Sequence, residues 1–180
     1  QLGLNTTSIG NLTTTQVGNL ASTQVSLLTA AQFGALTSTE VQAFTTTQAN
    51  ALTGSQLHSF TTTGVNLFSS TQVGAFSTNQ AQSLTTTQLN ALSIDSLDAV
   101  DLTKISTSQL VGLNTSSIGE LTTTQVSGFS TSQVASLTTS QFGALSQAEV
   151  QAFTTTQANA LTTAQIRGLT TTAVNMFSST

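Results

Sequence analysis

The amino-acid sequence predicts a mainly α fold: a solenoid, or superhelix, of very short capped helices, one for each eight-residue repeat. Three observations lead there. An octad of the form Thr-Thr-Thr-Gln-Val-x-Ala-Leu, as in residues 85–92, recurs through almost the whole chain. Two of its places, the fifth and the eighth, are apolar in every copy. Its first and fourth places carry the Thr/Ser-x-x-Gln spacing that starts helices.

Internal repeats decide the architecture before any local propensity does. Twelve octads run over residues 5–100, five extra residues follow at 101–105, and nine more octads run over 106–177, giving 21 in all. The first place is Thr, Ser or Asn in 20 of them, Ala21 being the exception. The fourth is Gln in 14 and Glu in two, Glu40 and Glu149. The seventh is usually small, and the sixth varies from Gly18 to His58 to Arg167. Residues 5–71 match residues 114–180 at an offset of 109, with 44 of 67 positions identical. That offset is thirteen octads plus the five extra residues, so 101–105 reads as a register-breaking insert that recurs once per super-repeat. The domain reading is therefore octads over 1–100, the insert at 101–105, and octads again over 106–180. No polar capping unit bounds either end, which predicts a fragment of a longer array.

Each place in the octad has a physical reason. A continuous helix fails, because eight residues advance by about 800° and the apolar stripe would drift by about 80° per octad. A continuous strand fails too, because places five and eight would point to opposite faces. A helix restarted in every octad fits. Place one becomes the N-cap and place four becomes N3, so each side chain accepts from the other residue's backbone N–H. Place eight of the preceding octad and place five then form the hydrophobic staple, as Leu12 and Val17 would around Thr13 and Gln16. Places five and eight share one helix face. The small seventh residue predicts a close approach of the next backbone, and Gly at place six, as in Gly18, Gly34, Gly74 and Gly143, is read as loosening the helix exit in some octads. Two apolar side chains cannot offset the ordering of eight residues, so neighbouring coils must share the core. The competing architecture is a β-solenoid, favoured by the Thr and Val content and by the ladders that stacked Thr or Gln form. Against it, no turn residue recurs at a fixed place, and Ala-Leu and Gln-rich stretches suit helices better.

Composition excludes several classes of function. Charged residues are only 4 % of the chain and its formal charge is −4, with Lys104 and Arg167 the only bases. Such a chain has no electrostatic footprint for nucleic acid or anionic lipid. Absent cysteine removes disulfides and thiolate zinc sites. No apolar run approaches the roughly 20 residues of a membrane span, so no membrane insertion is expected.

The Leu-Thr-Thr-Thr-Gln-Val-x-Ala-Leu units resemble the Thr/Gln-rich octapeptide arrays of giant secreted or surface proteins of Gram-negative bacteria, many of them adhesin-like. The resemblance covers the chain apart from 101–105. It implies an extracellular or cell-surface location and a spacing role, and it names no activity and no binding residue.

Candidate chemistry is sparse. His58 is the only histidine, stands at variable place six, and has only Ser, Thr and Gln in the neighbouring octads, so it reads as an exposed side chain. No nucleophile has a base to serve it. Asp95, Asp98 and Asp101 form the one acidic cluster and are the weak metal candidates, since calcium takes oxygen ligands from spaced carboxylates. Their spacing is not that of an EF-hand. A structural break is preferred, with Asp95 and Asp98 as acids near a helix N-terminus and Lys104 paired with Asp101. The phenylalanines (Phe33, Phe44, Phe60, Phe68, Phe76, Phe129, Phe142, Phe153 and Phe177) lie only at places five and eight, which is core placement. Thr and Ser at places two and three remain free and open to O-glycosylation.

The expectation is therefore a structural repeat protein: an extracellular fibre, stalk or adhesin spacer. It is not an enzyme, needs no cofactor, and associates with itself or with further copies of the array. Ice binding, or glycan and cell adhesion through a regular Thr-rich surface, is the alternative.

Overall fold

The computed structural model describes Gly3 and residues 5–168. Phe177, Leu169 and the last octad, 170–177, lie outside the described residues. The chain divides into two compact units, Gln1–Val100 and Asp101–Thr180. The first holds α1 (Thr6–Gly10), α2 (Thr14–Gly18), α3 (Ser22–Val25), α4 (Ala30–Phe33), α5 (Ser38–Gln42) and α6 (Thr46–Asn50). It continues with α7 (Gly54–Ser59), α8 (Thr62–Val65), α9 (Ser70–Gly74), α10 (Thr78–Ser83), α11 (Thr86–Ala91) and α12 (Ile94–Ala99). The second holds α13 (Thr107–Val111), α14 (Thr115–Gly119), α15 (Thr123–Ser127), α16 (Thr131–Ser136), α17 (Thr139–Phe142), α18 (Gln147–Gln151), α19 (Thr155–Ala158) and α20 (Thr163–Gly168). Each described octad contributes one helix of four to six residues, and each helix begins at place two.

The described residues contain no strand, which overturns the β-solenoid alternative. The reason is local. A Thr or Ser side chain that caps a helix draws the following backbone out of the extended state, whatever its β-propensity. Fifteen of the twenty helices carry the full reciprocal box of N-cap hydroxyl and N3 side chain. At α11, Gln88 Oε1 accepts from Thr85 N at 2.7 Å while Gln88 N donates to Thr85 Oγ1 at 3.1 Å. Ahead of α3, Ala21 has no side-chain acceptor, so only half the box survives: Ala21 N donates to Gln24 Oε1 at 2.8 Å.

The corner between helices needs no glycine. Place eight and the next place one are both extended, as in Phe60 (φ −70°, ψ 146°) and Thr61 (φ −68°, ψ 163°). The N–H of place eight closes the turn onto the carbonyl of place five, for example Phe44 N to Val41 O at 3.1 Å. Gly3 is the one described residue with positive φ. Glycine at place six therefore supplies no special corner conformation, and the reading of Gly18 and Gly74 as loosening an exit is corrected below.

Within each unit each helix packs on one three places away in the chain. In the first unit α1 packs on α4, α2 on α5, α3 on α6, α7 on α10, α8 on α11 and α9 on α12. In the second, α13 packs on α16, α14 on α17, α15 on α18, α16 on α19 and α17 on α20. Three octads thus make one coil. Places five and eight fill the interior: Val41, Leu57, Leu89, Leu110 and Val134 are fully buried at place five, and Leu52, Phe68 and Leu121 at place eight are 2 % exposed. Phenylalanines stack inside the first unit, with Phe33 and Phe60 ring centroids 4.1 Å apart and nearly parallel. In the second unit Phe142 and Phe153 stack at 5.9 Å. The core placement read from the sequence holds for every described phenylalanine except Phe153, which is half-buried.

Candidate functional site

The chemically most organised feature is the joint between coils, built from the glutamine at place four. Its Oε1 is held by the N-cap residue, which fixes the amide plane and aims Nε2 at the coil beneath. In the first unit Gln72 Nε2 donates to Val41 O and Phe44 O, both at 2.8 Å, and Gln80 Nε2 donates to Ala49 O and Leu52 O, both at 2.9 Å. Gln56 and Gln88 do the same, and Gln48 Nε2 donates to Gly18 O and Leu20 O. In the second unit Gln133, Gln141, Gln157 and Gln165 repeat the arrangement. The acceptors belong to the octad that began one coil and one octad earlier, on the last turn and corner of its helix, whose place-eight carbonyl has no partner within its own octad. One side chain thereby caps the start of its own helix and the end of another. Such bonds contribute about 1 kcal/mol each, and leaving a buried carbonyl unpaired costs about 1–3 kcal/mol. These amides are almost wholly buried, with Gln72, Gln80 and Gln165 each 2 % exposed.

The sequence reading gave glutamine only its capping role. The available signal was the excess of Gln over Glu at place four. A capping box accepts either, but only the amide can donate.

A second contact joins place six to the carbonyl of place seven in the third octad along. At Gly10, Gly18, Gly74 and Gly119 the backbones come close, whereas a Cβ on Gly34 or Gly143 would meet only its own helix. A Cβ on Gly10 would lie 3.0 Å from Ala35 O, and one on Gly74 would lie 3.1 Å from Ala99 O. At those four positions close stacking, not a loosened exit, is what glycine provides. Where place six is polar, its side chain makes the bond. Asn66 Nδ2 donates to Ala91 O at 2.6 Å while its Oδ1 accepts from Ser93 N at 3.1 Å. His58 is exposed at this place, and its Nδ1 lies 3.1 Å from Ser83 O, so the ring nitrogen donates. Its role is a coil contact, and no acid or nucleophile pairs with it there. Arg167, at the equivalent place on α20, is exposed.

The acidic candidates fall in different units. Asp95, in the first turn of α12, and Asp98 on the same helix are exposed. Asp101 opens the second unit in a tight turn: its Oδ1 accepts from Thr103 Oγ1 at 2.6 Å and from Thr103 N at 3.1 Å, and its carbonyl accepts from Lys104 N at 3.0 Å. Lys104 Nζ pairs with its Oδ2 at 3.5 Å. The Thr103 hydroxyl holds the Asp101 carboxyl below the usual aspartate range, partial burial opposes this, and the Thr103 N–H and Lys104 add to the lowering. Among the described residues no three His, Cys, Asp or Glu side chains are grouped to hold a metal ion.

The turn at 101–105 also has a packing role. Leu102 is 1 % and Ile105 4 % exposed, and their carbonyls accept from Gln133 Nε2 at 2.8 and 3.2 Å. Those are the contacts of places five and eight, at the same sequence spacing from the glutamine as Val41 and Phe44 have from Gln72. The five residues therefore act as an octad that lacks its first three places.

The one concavity of note in the first unit is a shallow groove of about 420 Å³ bordered by Ala30, Phe33, Gly34, Phe60, Thr61 and Gly64. Gly64 stands at place four, where other octads fill the same space with glutamine. No helix among the described residues is long and apolar enough to cross a membrane.

A family model described as the ALTTAQ repeat matches residues 134–171. Residues 160–165 spell that hexapeptide, and they span place seven through place four: the corner, the N-cap and the jointing glutamine. No curated protein and no solved structure matches the chain. This is a repeat protein. Its unit is helical, and the hexapeptide marks the joint that holds one coil to the next.

Proposed function

We propose that this repeat protein is a non-catalytic spacer: a segment of an extracellular fibre, stalk or adhesin array in a giant secreted or cell-surface protein. One observation supports it above the others. In the octads joined by glutamine, the place-one hydroxyl and both ends of the place-four amide are engaged in building coils. What faces solvent at places two and three is short and uncharged in most octads, with Asp95 the charged exception. An extendable array of interchangeable octads delivers length, and distance is the property that a stalk requires. The Thr/Gln octapeptide resemblance supplies the secreted or surface setting.

Electron micrographs of the native material test this reading. Thin rods whose length scales with the number of octads are expected. A compact monomer that turns over a substrate sinks it. Thermal hysteresis measured on the same protein decides the ice-binding alternative.

A further inference from the structure

Gly64 interrupts the series of glutamine joints. A joint normally reaches the carbonyls 31 and 28 residues earlier, as Gln56 Nε2 does at Val25 O (3.2 Å) and Leu28 O (2.6 Å). Counted the same way from Gly64, those carbonyls are Phe33 O and Leu36 O. The groove of about 420 Å³ lies at this joint, bordered by Phe33 of α4 and by Thr61 and Gly64 at the start of α8.

Three main-chain groups there lack the partners that a glutamine amide supplies elsewhere. Thr53 N donates to Gln56 Oε1 at 2.7 Å, whereas Thr61 N has no acceptor among the described residues. Val41 O accepts both from Phe44 N and from Gln72 Nε2. Phe33 O accepts from Leu36 N alone, at 3.1 Å, and Leu36 O from no donor among the described residues. An N–H of one octad and carbonyls of another are the complement of a primary carboxamide, whose oxygen accepts and whose nitrogen donates twice. The rest of the groove suits an apolar stem. Octad 29–36 alone has alanine at both places two and three. Ala31, Gly34 and Ser59 border the groove and are small and exposed, so it opens to solvent beside the stacked rings of Phe33 and Phe60.

The chain itself carries the matching side chain. Gln42 and Gln151 stand exposed at place six, and their amides make no hydrogen bond among the described residues. They are 109 residues apart, as are Gly64 and Ala173, the only residues at place four without a polar side chain. Ala173 lies outside the described residues. Side chain and receiving place thus recur with one period, as two copies of an array set side by side at a fixed offset require. Charged residues are only 4 % of the chain, so little repulsion opposes the approach.

We infer that the Gly64 groove is a docking site for a glutamine side chain, Gln42 or Gln151, of a second copy of this chain. Each copy offers both the side chain and the groove, a heterologous contact that adds further copies in series unless its rotation closes a ring. Such docking needs only the glutamine joint, whatever the setting of the array.

Sedimentation equilibrium of the whole chain over a range of concentrations tests this, with propionamide, the glutamine side chain cut at Cβ, as the free probe. The apparent mass should rise with concentration and return to that of the monomer in excess propionamide. N,N-dimethylpropionamide, which has no N–H to donate, should leave the association unchanged. Gly64→Gln, which supplies the amide from within the chain, should weaken association by about tenfold or more, and so should the double variant Gln42→Ala, Gln151→Ala. Far-UV circular dichroism melts should show both variants folded. A parent that stays monomeric overturns the docking, even if propionamide shifts the Thr61 amide resonance. So does an association that excess propionamide and both variants leave untouched.

Discussion

The octad 85–92 and the five residues 101–105 do the same job with different backbones. In the octad, Thr85 caps α11, Gln88 closes the box, and Leu89 and Leu92 enter the core at 0 % and 9 % exposure. In the shorter segment there is no helix. An aspartate-centred turn puts Leu102 and Ile105 into the core at 1 % and 4 % exposure and presents their carbonyls to Gln133. The coil is therefore counted in buried side chains and offered carbonyls, not in residues. A capped helical turn is one way to supply them, and a tight Asx-type turn is another.

The comparison breaks most visibly in the core. Leu89→Ala and Leu102→Ala should each cost about 3 kcal/mol in denaturant unfolding, because both empty a fully enclosed place five. If 101–105 were an ordinary surface loop, the second change would stay within about 0.5 kcal/mol. Next comes the joint. Gln80→Glu keeps the box but withdraws the donor from Ala49 O and Leu52 O, so it should cost about 2–3 kcal/mol in denaturant unfolding. Gly64→Gln works in the opposite sense. The new Cβ meets Phe60 Cβ at 3.4 Å and Thr61 Oγ1 at 3.5 Å, ordinary contacts. Filling the groove and replacing a helical glycine should then stabilise by about 1 kcal/mol.

A smaller pair concerns the cap. Thr85→Ala should cost about 1 kcal/mol, and Ala21→Thr, which supplies the N-cap hydroxyl missing ahead of α3, should return a similar amount. The smallest effect separates the two segments by pH. Asp101 titrates below its ordinary range of about 3.9. Its stabilisation is therefore fully present above that range and lost as pH falls through the lowered value. Asp101→Asn should flatten the acid limb of the stability curve slightly, whereas Thr85→Ala should leave its slope unchanged, since residues 85–92 carry no titratable group.

Much of this was legible in the sequence. The Thr-x-x-Gln spacing and the apolar fifth and eighth places specified the box, the staple face and the restart of each helix, because all three are contacts between residues a few places apart. The insert was legible as a break in the count, but not as a packing unit. Nothing local says that Leu102 and Ile105 have the reach of places five and eight, and only Gln133, brought over them by the coil that follows, reveals it. His58 read as a plain exposed side chain for the same reason, since its partner Ser83 arrives with the next coil, as Ala91 and Ser93 do for Asn66.

The sequence by itself thus determined the repeating element, since capping and amphipathicity act within one octad. The tertiary structure decided how many octads close a coil, and which atoms of one coil meet the next. Those depend on the angle accumulated over three corners, to which each corner contributes only a little. The second task of glutamine belongs to that level too, because an amide nitrogen finds its carbonyls only after a whole coil has closed beneath it.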